Sequence, residues 1–102
     1  MPDDSTATKD GMDTDTIAKQ LISLPSTGFL EVARATEFRC YRTRKDGVGQ
    51  KVTVTLFDRG SERPGIRYAC EAVADDGATA SGNGASSPEV AIALVHWNEL
   101  DS

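Results

Sequence analysis

A strictly alternating run near the middle of the chain is the feature that most constrains its fold. Between Lys51 and Asp58 the apolar residues Val52, Val54 and Leu56 are separated by polar ones. Successive side chains of a strand point to opposite faces, so this pattern predicts a strand with one buried and one solvent-facing side. A strand of this kind needs neighbours in a sheet, and the flanking sequence supplies them.

Extended runs lie on both sides of this strand. The run Phe38–Lys45 precedes it across the loop 46–50, DGVGQ, whose glycines supply the positive φ angles of a hairpin turn. After the strand, residues 66–73 alternate in the same way, and a turn at 75–77 leads to a short segment at 78–81. The sequence therefore predicts an antiparallel meander of three or four strands.

A helix is predicted before these strands. Asp13 or Asp15 can accept hydrogen bonds from the free amides of a first helical turn. The apolar residues that follow at helical spacing are Ile17, Leu21 and Leu24. Pro25 disfavours helical geometry in the residue before it, so we expect a helix at about residues 14–23. The segment 26–36 fits both a helical turn and a strand, and the sequence leaves it open.

A second helix is predicted near the C-terminal end. Residues 86–89, S-S-P-E, have the form of a capping box with proline in the first turn. We expect a helix over 87–100 whose core-facing side carries Val90, Ala93, Leu94 and Trp97. The other side is also apolar, at Ala91, Ile92 and Val95. A partner, a long loop or the first helix could cover that second side.

These elements predict an α+β fold with two layers, in which helices cover one face of the sheet. The order is a helix, the antiparallel meander and a C-terminal helix. A chain of 102 residues allows one domain with a core of limited size. We expect that domain over residues 13–102, preceded by a flexible acidic tail at residues 1–12 that has no apolar periodicity.

A Gly-Asn-Gly segment at 82–84 precedes Ser86 and the last predicted helix. With that helix, the stretch 64–100 resembles the C-terminal half of a double-stranded-RNA-binding domain, which has a Gly-x-Gly segment and an alanine-rich helical stripe there. The resemblance implies a double-stranded-RNA-binding-like fold. The family grips phosphates with two lysines at the start of this helix, whereas residues 87–89 here are Ser-Pro-Glu. The charge that would drive RNA affinity is therefore missing.

The sequence predicts a protein that is not an enzyme and holds no metal or cofactor. One histidine, His96, and two cysteines, Cys40 and Cys70, lack the number and spacing of metal ligands. We expect both cysteines to be buried thiols rather than a disulfide. Glu99 lies three residues after His96, which is an ordinary helical pair. Phosphate-binding loop and nucleophile-elbow motifs do not occur in the sequence.

The sequence gives no sign of membrane insertion or export. The longest apolar run, Val90–Val95, is too short to span a bilayer. We expect no signal peptide, since no positively charged segment followed by an apolar stretch occurs near the start. A cytoplasmic protein without a membrane partner is the expectation.

One stretch carries charge opposite to that of the chain. The net charge is −5, yet residues 34–51 contain six basic residues and only two acidic ones. Strand alternation places Arg39, Tyr41 and Lys45 on the outer face of the first strand, with Lys51 on the paired strand facing the same way. We predict that these four residues form a binding surface.

Two ligands suit this surface. An aromatic ring among cations can stack a base of single-stranded nucleic acid while the cations contact the backbone. The same surface can bind an acidic protein partner. Because Tyr41 is the only aromatic residue there and the chain is acidic, we expect a small interaction module with an unidentified protein partner. The alternative is a weak nucleic-acid-binding protein that acts through the basic hairpin 38–55.

Overall fold

The computed structural model describes residues 13–101, so the predicted acidic tail of residues 1–12 lies outside the described residues. Within this range four strands form one antiparallel sheet whose spatial order follows the chain. The strands are β1 (Arg34–Thr43), β2 (Gly49–Asp58), β3 (Tyr68–Ala74) and β4 (Thr79–Ser81). A helix precedes the sheet, and a short helix and a 3-10 turn follow it. The predicted α+β fold with an antiparallel meander is confirmed.

The turn between β1 and β2 lies earlier in the chain than the predicted loop 46–50. The N–H of Arg44 donates to the carbonyl of Val48 (2.8 Å), and the N–H of Gly47 donates to the carbonyl of Arg44 (2.9 Å). Gly47 has a φ of +89°, which glycine adopts without steric cost. A three-residue loop with a left-handed glycine in this position is a common hairpin connection. As a result, β1 ends at Thr43 and β2 starts at Gly49.

The segment 26–36, which the sequence left open, contains the start of β1. Residues 27–33 have no regular structure, and Arg34 begins the strand. Pairing with β2 makes residues 34–36 a strand, because Arg34 lies opposite Asp58 and Thr36 lies opposite Leu56. Local sequence could not decide it, since the partner residues are about twenty positions away in the chain.

The first helix, α1 (Thr14–Ile22), has nearly the predicted bounds. The Asp13 carboxylate accepts a hydrogen bond from the N–H of Thr16 (2.8 Å), so Asp13, and not Asp15, is the cap. Polar contacts connect α1 to the end of β2: Thr14 Oγ1 donates to Asp58 (3.2 Å), and the N–H of Ser61 donates to Asp15 (2.8 Å). Thr14 is the only buried residue of the helix. The apolar stripe of α1 therefore contributes little to the core.

The second helix, α2 (Pro88–Ala93), is shorter than predicted, and a 3-10 turn at Trp97–Asp101 takes up the rest of the segment. Ser87 is its cap and accepts a hydrogen bond from the N–H of Val90 (3.2 Å). The helix cannot continue, because the N–H of His96 donates to the carbonyl of Ser81 at the end of β4 (3.2 Å) instead. This contact ties the end of α2 to the sheet.

The predicted core-facing side of the last helix is wrong except at Trp97, which is partly buried and packs against the core. Val90, Ala93 and Leu94 are exposed, whereas Ala91 and Val95 are buried. The close approach of Gly82 to the backbone at Leu94 fixes this orientation, because a Cβ on Gly82 would collide with the Leu94 carbonyl. The side that the sequence assigned to a partner, loop or first helix is thus partly core.

The core lies between the C-terminal segment and the inner face of the sheet, which we define as the face that carries Val52, Cys70 and Ala72. The other face is the outer face. The remaining core residues are Ala74, Ala80, Ala85, Ala91, Val95 and Leu100. Most of these side chains are small, so α2 can approach β3 closely. In contrast, β1 has no buried residue, and only Arg42 is even partly buried.

Candidate interaction surface on the hairpin

The register of the hairpin places three of the four predicted binding residues together. Tyr41 lies directly opposite Lys51, and Arg39 lies opposite Thr53 on the same face. This is the outer face, since Cys40 and its partner Val52 point the other way. We call Arg39, Tyr41 and Lys51 the hairpin patch. All three side chains are exposed, and Tyr41 keeps 73 % of its surface accessible.

Lys45 does not belong to this patch. The prediction that β1 runs to Lys45 is wrong, because the strand ends at Thr43 and Lys45 lies in the turn. Its backbone N–H donates to the carboxylate of Asp101 (3.0 Å), which fixes the turn against the C-terminal segment. The predicted strand extension required the loop to start at residue 46, and the hydrogen bonds of Arg44 with Gly47 and Val48 exclude that.

A glycine sets the position of the Tyr41 ring. Gly49 lies diagonally across the hairpin from Tyr41, and a Cβ on Gly49 would collide with the Tyr41 hydroxyl. The ring therefore lies over the backbone of β2 rather than pointing freely into solvent. A flat, exposed aromatic face held against a strand can stack on a planar ligand group or pack against an apolar side chain.

Two arginines of the basic stretch are neutralised within the chain. Arg42 forms an ion pair with Asp101 (3.0 Å), and Arg44 forms ion pairs with Asp76 (3.0 Å) and Asp46 (3.2 Å). These contacts connect the hairpin to the rest of the domain. The excess positive charge seen in the sequence at 34–51 is thus reduced where it meets solvent.

Arg39 and Lys51 keep their charge free for a ligand. Neither has an ion-pair partner among residues 13–101. The next row of the outer face carries Glu37 and Glu71 on either side of Thr55. The hairpin patch is therefore a small positive region bordered by negative charge, and it suits a ligand of limited size and mixed charge.

A buried glutamine anchors the hairpin from the inner face. The side-chain amide of Gln50, of which 1 % is exposed, donates to the carbonyl of Leu100 (2.9 Å) and to Asp76 (3.0 Å). The backbone N–H of Ala78, together with Gln50, lowers the pKa of Asp76 below its usual range. These contacts hold the strands that display the hairpin patch.

Asp101 anchors the same network from the other end of the chain. The backbone N–H of Lys45, followed by the guanidinium of Arg42, lowers the pKa of Asp101 below its usual range. The carboxylate therefore stays ionised and keeps both contacts at neutral pH. The hairpin is consequently attached to the C-terminal segment on both of its strands.

The inner face of β1 has a feature that sequence reasoning missed. Phe38 points to the same face as the core, opposite Val54, yet 51 % of its surface is exposed. Cys40 beside it is exposed as well. The prediction that the Cys40 thiol is buried is therefore wrong, because α2 packs over β3 and leaves β1 uncovered. The one available signal was that β1 has few apolar residues for a strand with a buried face.

The structure gives little basis for chemistry at other positions. Within residues 13–101 no three His, Cys, Asp or Glu side chains form a group that could hold a metal ion. His96 is exposed and lies 3.9 Å from Glu99, as a helical pair does. Burial raises the pKa of the Cys70 thiol, which makes it a poor nucleophile at neutral pH. In the same range, neither helix is long and apolar enough to cross a bilayer.

Comparison with known proteins gives no family for the chain: no family model matches it, and neither does any curated protein or solved structure. The resemblance of the stretch 64–100 to a double-stranded-RNA-binding domain therefore stays a prediction. The order of helix, sheet and helix is that of an α+β fold, and Ser87 and Pro88, followed by Glu89, stand at the start of α2 where that family has its two lysines. What the chain does has to be argued from the hairpin patch itself.

Proposed function

We propose that this protein is a small, non-enzymatic interaction module that binds an acidic segment of a partner protein through the hairpin patch. The observation that carries the proposal is an exposed Tyr41 between two cations, Arg39 and Lys51, that have no ion-pair partner within the described chain. Aromatic and arginine side chains are enriched where proteins bind one another. Two cations beside an aromatic surface favour a carboxylate next to an apolar side chain.

Two features favour a protein over a nucleic acid as the ligand. Nucleic-acid affinity depends on the number of phosphates that cations neutralise, and the ion pairs of Arg42 and Arg44 reduce that number here. Glu37 and Glu71 border the hairpin patch and would repel a continuous phosphate backbone. An acidic peptide segment can end at that border, whereas a nucleic-acid strand would have to cross it.

A cytoplasmic location is part of this proposal. Cys40 and Cys70 are both free thiols, as is usual in a reducing compartment. An exposed thiol such as Cys40 would be prone to oxidation or disulfide exchange outside the cell. The module would therefore meet its partner inside the cell.

The experiment compares matched charge reversals in a pull-down from the native host. The variant Lys51→Glu reverses one cation of the hairpin patch, and Lys19→Glu makes the same charge change on the exposed side of α1. We expect Lys51→Glu to lose the partner, because reversal removes an attraction and adds a repulsion. Lys19→Glu should retain it. Equal retention by both variants would eliminate the hairpin patch as the binding surface.

A second experiment tests the nucleic-acid alternative. Labelled single-stranded oligonucleotides are titrated at two salt concentrations, since affinity driven by phosphate contacts falls steeply with salt. The proposal expects no tight binding at physiological salt. Strong, salt-sensitive binding that Lys51→Glu abolishes would replace the protein partner with nucleic acid.

A further inference from the structure

The outer edge of β1 has backbone groups that no strand pairs with. The hydrogen bond from Arg44 to Val48 continues the register in which Thr43 lies opposite Gly49. Hydrogen-bonded and non-hydrogen-bonded pairs alternate along an antiparallel ladder, so even-numbered residues of β1 direct their N–H and C=O groups to β2. The odd-numbered residues direct theirs to the open edge: Ala35, Glu37, Arg39 and Tyr41. Residues 13–101 place no strand on that side.

We propose that β1 pairs with β1 of a second copy of this chain, antiparallel, around a two-fold axis that passes through Phe38. The four strands of each copy would then form one continuous sheet. A two-fold axis at right angles to the sheet keeps the inner faces of both copies on the same side. It also places odd-numbered residues opposite odd-numbered residues, as the free N–H and C=O groups require.

Charge complementarity selects this register. With Phe38 on the axis, Glu37 of each copy lies opposite Arg39 of the other, which gives two ion pairs on the outer face. Opposite charges on directly facing residues stabilise an antiparallel pair, and like charges destabilise it. Both residues are exposed, so their side chains are available for this pairing.

The neighbouring registers fit less well. An axis through Glu37 or Arg39 would place that residue opposite its own copy, with like charges facing each other. An axis through Cys40 avoids this repulsion, but it places Phe38 opposite Arg42 and leaves Glu37 without a cation. The register centred on Phe38 is the one that pairs both charges and groups the apolar residues.

In the dimer, the side chain of Phe38 would be covered by the second copy, whereas its own chain leaves it half exposed. On the axis it forms a non-hydrogen-bonded pair, the type in which side chains approach most closely. The two rings would lie together on the inner face and cover surface that is now half exposed. The pairing spans residues 35–41, with Ala35 of each copy opposite Tyr41 of the other at its two ends.

This association goes beyond the proposed partner binding and does not depend on it. Lys51 lies on β2 and takes no part in the edge, while Arg39 belongs to both surfaces. A single pair of strands forms a small interface, so we expect a dimer that dissociates on dilution rather than a permanent one.

The first test measures self-association of the full chain by sedimentation velocity over a range of concentrations. We expect the wild-type chain to dimerise, and Glu37→Arg and Arg39→Glu each to weaken the dimer about tenfold or more. An equimolar mixture of these two variants should associate again, because every facing pair then carries opposite charges. This rescue also shows that both variants are folded.

The matched control is Lys51→Glu, which makes the same charge change as Arg39→Glu one strand away from the edge. It should dimerise like the wild-type chain, although the proposed function expects it to lose the partner. The two proposals can therefore fail separately. A wild-type chain that stays monomeric throughout, or a mixture that does not re-associate, would overturn the dimer.

The second test addresses the register by disulfide trapping with oxidised glutathione. In the variant Phe38→Cys/Cys40→Ser the two introduced thiols would face each other across the axis, at a separation that a disulfide can span. We expect this variant to form a covalent dimer and the wild-type chain, with Cys40 opposite Thr36, to form little. The opposite result would place the axis at Cys40 and overturn the register proposed here.

Discussion

The two halves of this molecule are stabilised in different ways. Around β3, small side chains such as Ala72 and Ala91 are fully buried and let α2 lie close to the sheet. Around β1 and α1, polar contacts such as that of Thr14 with Asp58 hold the chain together, and the large apolar residues remain exposed. One half is thus a packed core, and the other is a surface supported by it.

This difference explains where binding can occur. A packed region changes shape only at a large energetic cost, so it provides a rigid support. Phe38 and Tyr41 belong to the other half, on opposite faces of β1, and both are at least half exposed. The apolar surface of these two residues would be buried on binding rather than on folding. We therefore expect substitutions in the first half to change stability and those in the second half to change association.

The largest effect should come from Leu100→Ala. Leu100 is 2 % exposed and fills the core under the C-terminal segment. Removal of its side chain should lower the free energy of unfolding by about 2–5 kcal/mol. The matched variant is Leu30→Ala, since Leu30 is 91 % exposed and its loss should cost less than about 0.5 kcal/mol. Urea denaturation measures both, and equal costs would contradict the division into two halves.

The second-largest loss of stability is expected for a substitution of Gln50, which connects the two halves. Gln50 donates hydrogen bonds to Leu100 and Asp76 and accepts one from Arg42. Replacement by leucine leaves these groups without their partner and should cost about 1–3 kcal/mol. Urea denaturation again gives the value. A Gln50→Leu protein as stable as the wild type would mean that packing alone holds the hairpin in place.

The sequence was sufficient where short-range patterns decide the structure. The alternation around Val54 predicted β2, and the pair Asp13 and Asp15 marked the start of α1 to within one turn. It was insufficient for the last helix, because the contact of His96 with Ser81 and the space limit at Gly82 depend on residues far apart in the chain. Spacing alone could not choose between the two apolar sides of that helix.

In the candidate surface, too, the sequence predicted what short-range patterns decide and missed what depends on contacts between distant residues. Arg39 and Tyr41 share a face because they are two residues apart in one strand, and Lys51 joins them because the hairpin register places it opposite Tyr41. Lys45 was misplaced because the hydrogen bonds around Gly47 close the turn before the glycine-rich loop ends. The small number of apolar residues in β1 was the one sequence signal for the exposure of Phe38, which itself depends on how far α2 extends across the sheet.

A smaller effect is expected at acid pH, where the attachment of α1 should weaken. Hydrogen bonds from the Arg67 guanidinium lower the pKa of Asp58 below its usual range. A carboxyl group with a lowered folded-state pKa stabilises the fold above its unfolded pKa, near 3.9, and this contribution is lost as the pH falls through the folded value. Stability should therefore decrease below about pH 4.

The variant Asp58→Asn tests that assignment through the pH profile of urea denaturation. It should be less stable than the wild type at neutral pH, and the difference should narrow as the pH falls below about 4, because the carboxyl of the unfolded wild-type chain is protonated first and that of the folded chain at a lower pH. A difference that stays constant from pH 7 to pH 3 would show that the lost hydrogen-bond geometry, and not the charge of Asp58, causes the destabilisation.

Apart from the control Leu30→Ala, the smallest effect on the isolated chain is expected for Phe38→Ala. Loss of a buried phenylalanine costs about 3–5 kcal/mol, but Phe38 is half exposed and α2 does not cover it, so we expect less than about 1 kcal/mol at low protein concentration. If β1 pairs with a second copy, the wild-type chain gains stability as its concentration rises, because binding to the folded state shifts the folding equilibrium. Phe38→Ala should gain less, so the difference between the two proteins should widen with concentration. A loss of several kcal/mol at every concentration would mean that Phe38 is already covered in the single chain, and the contrast between the two halves would then be wrong.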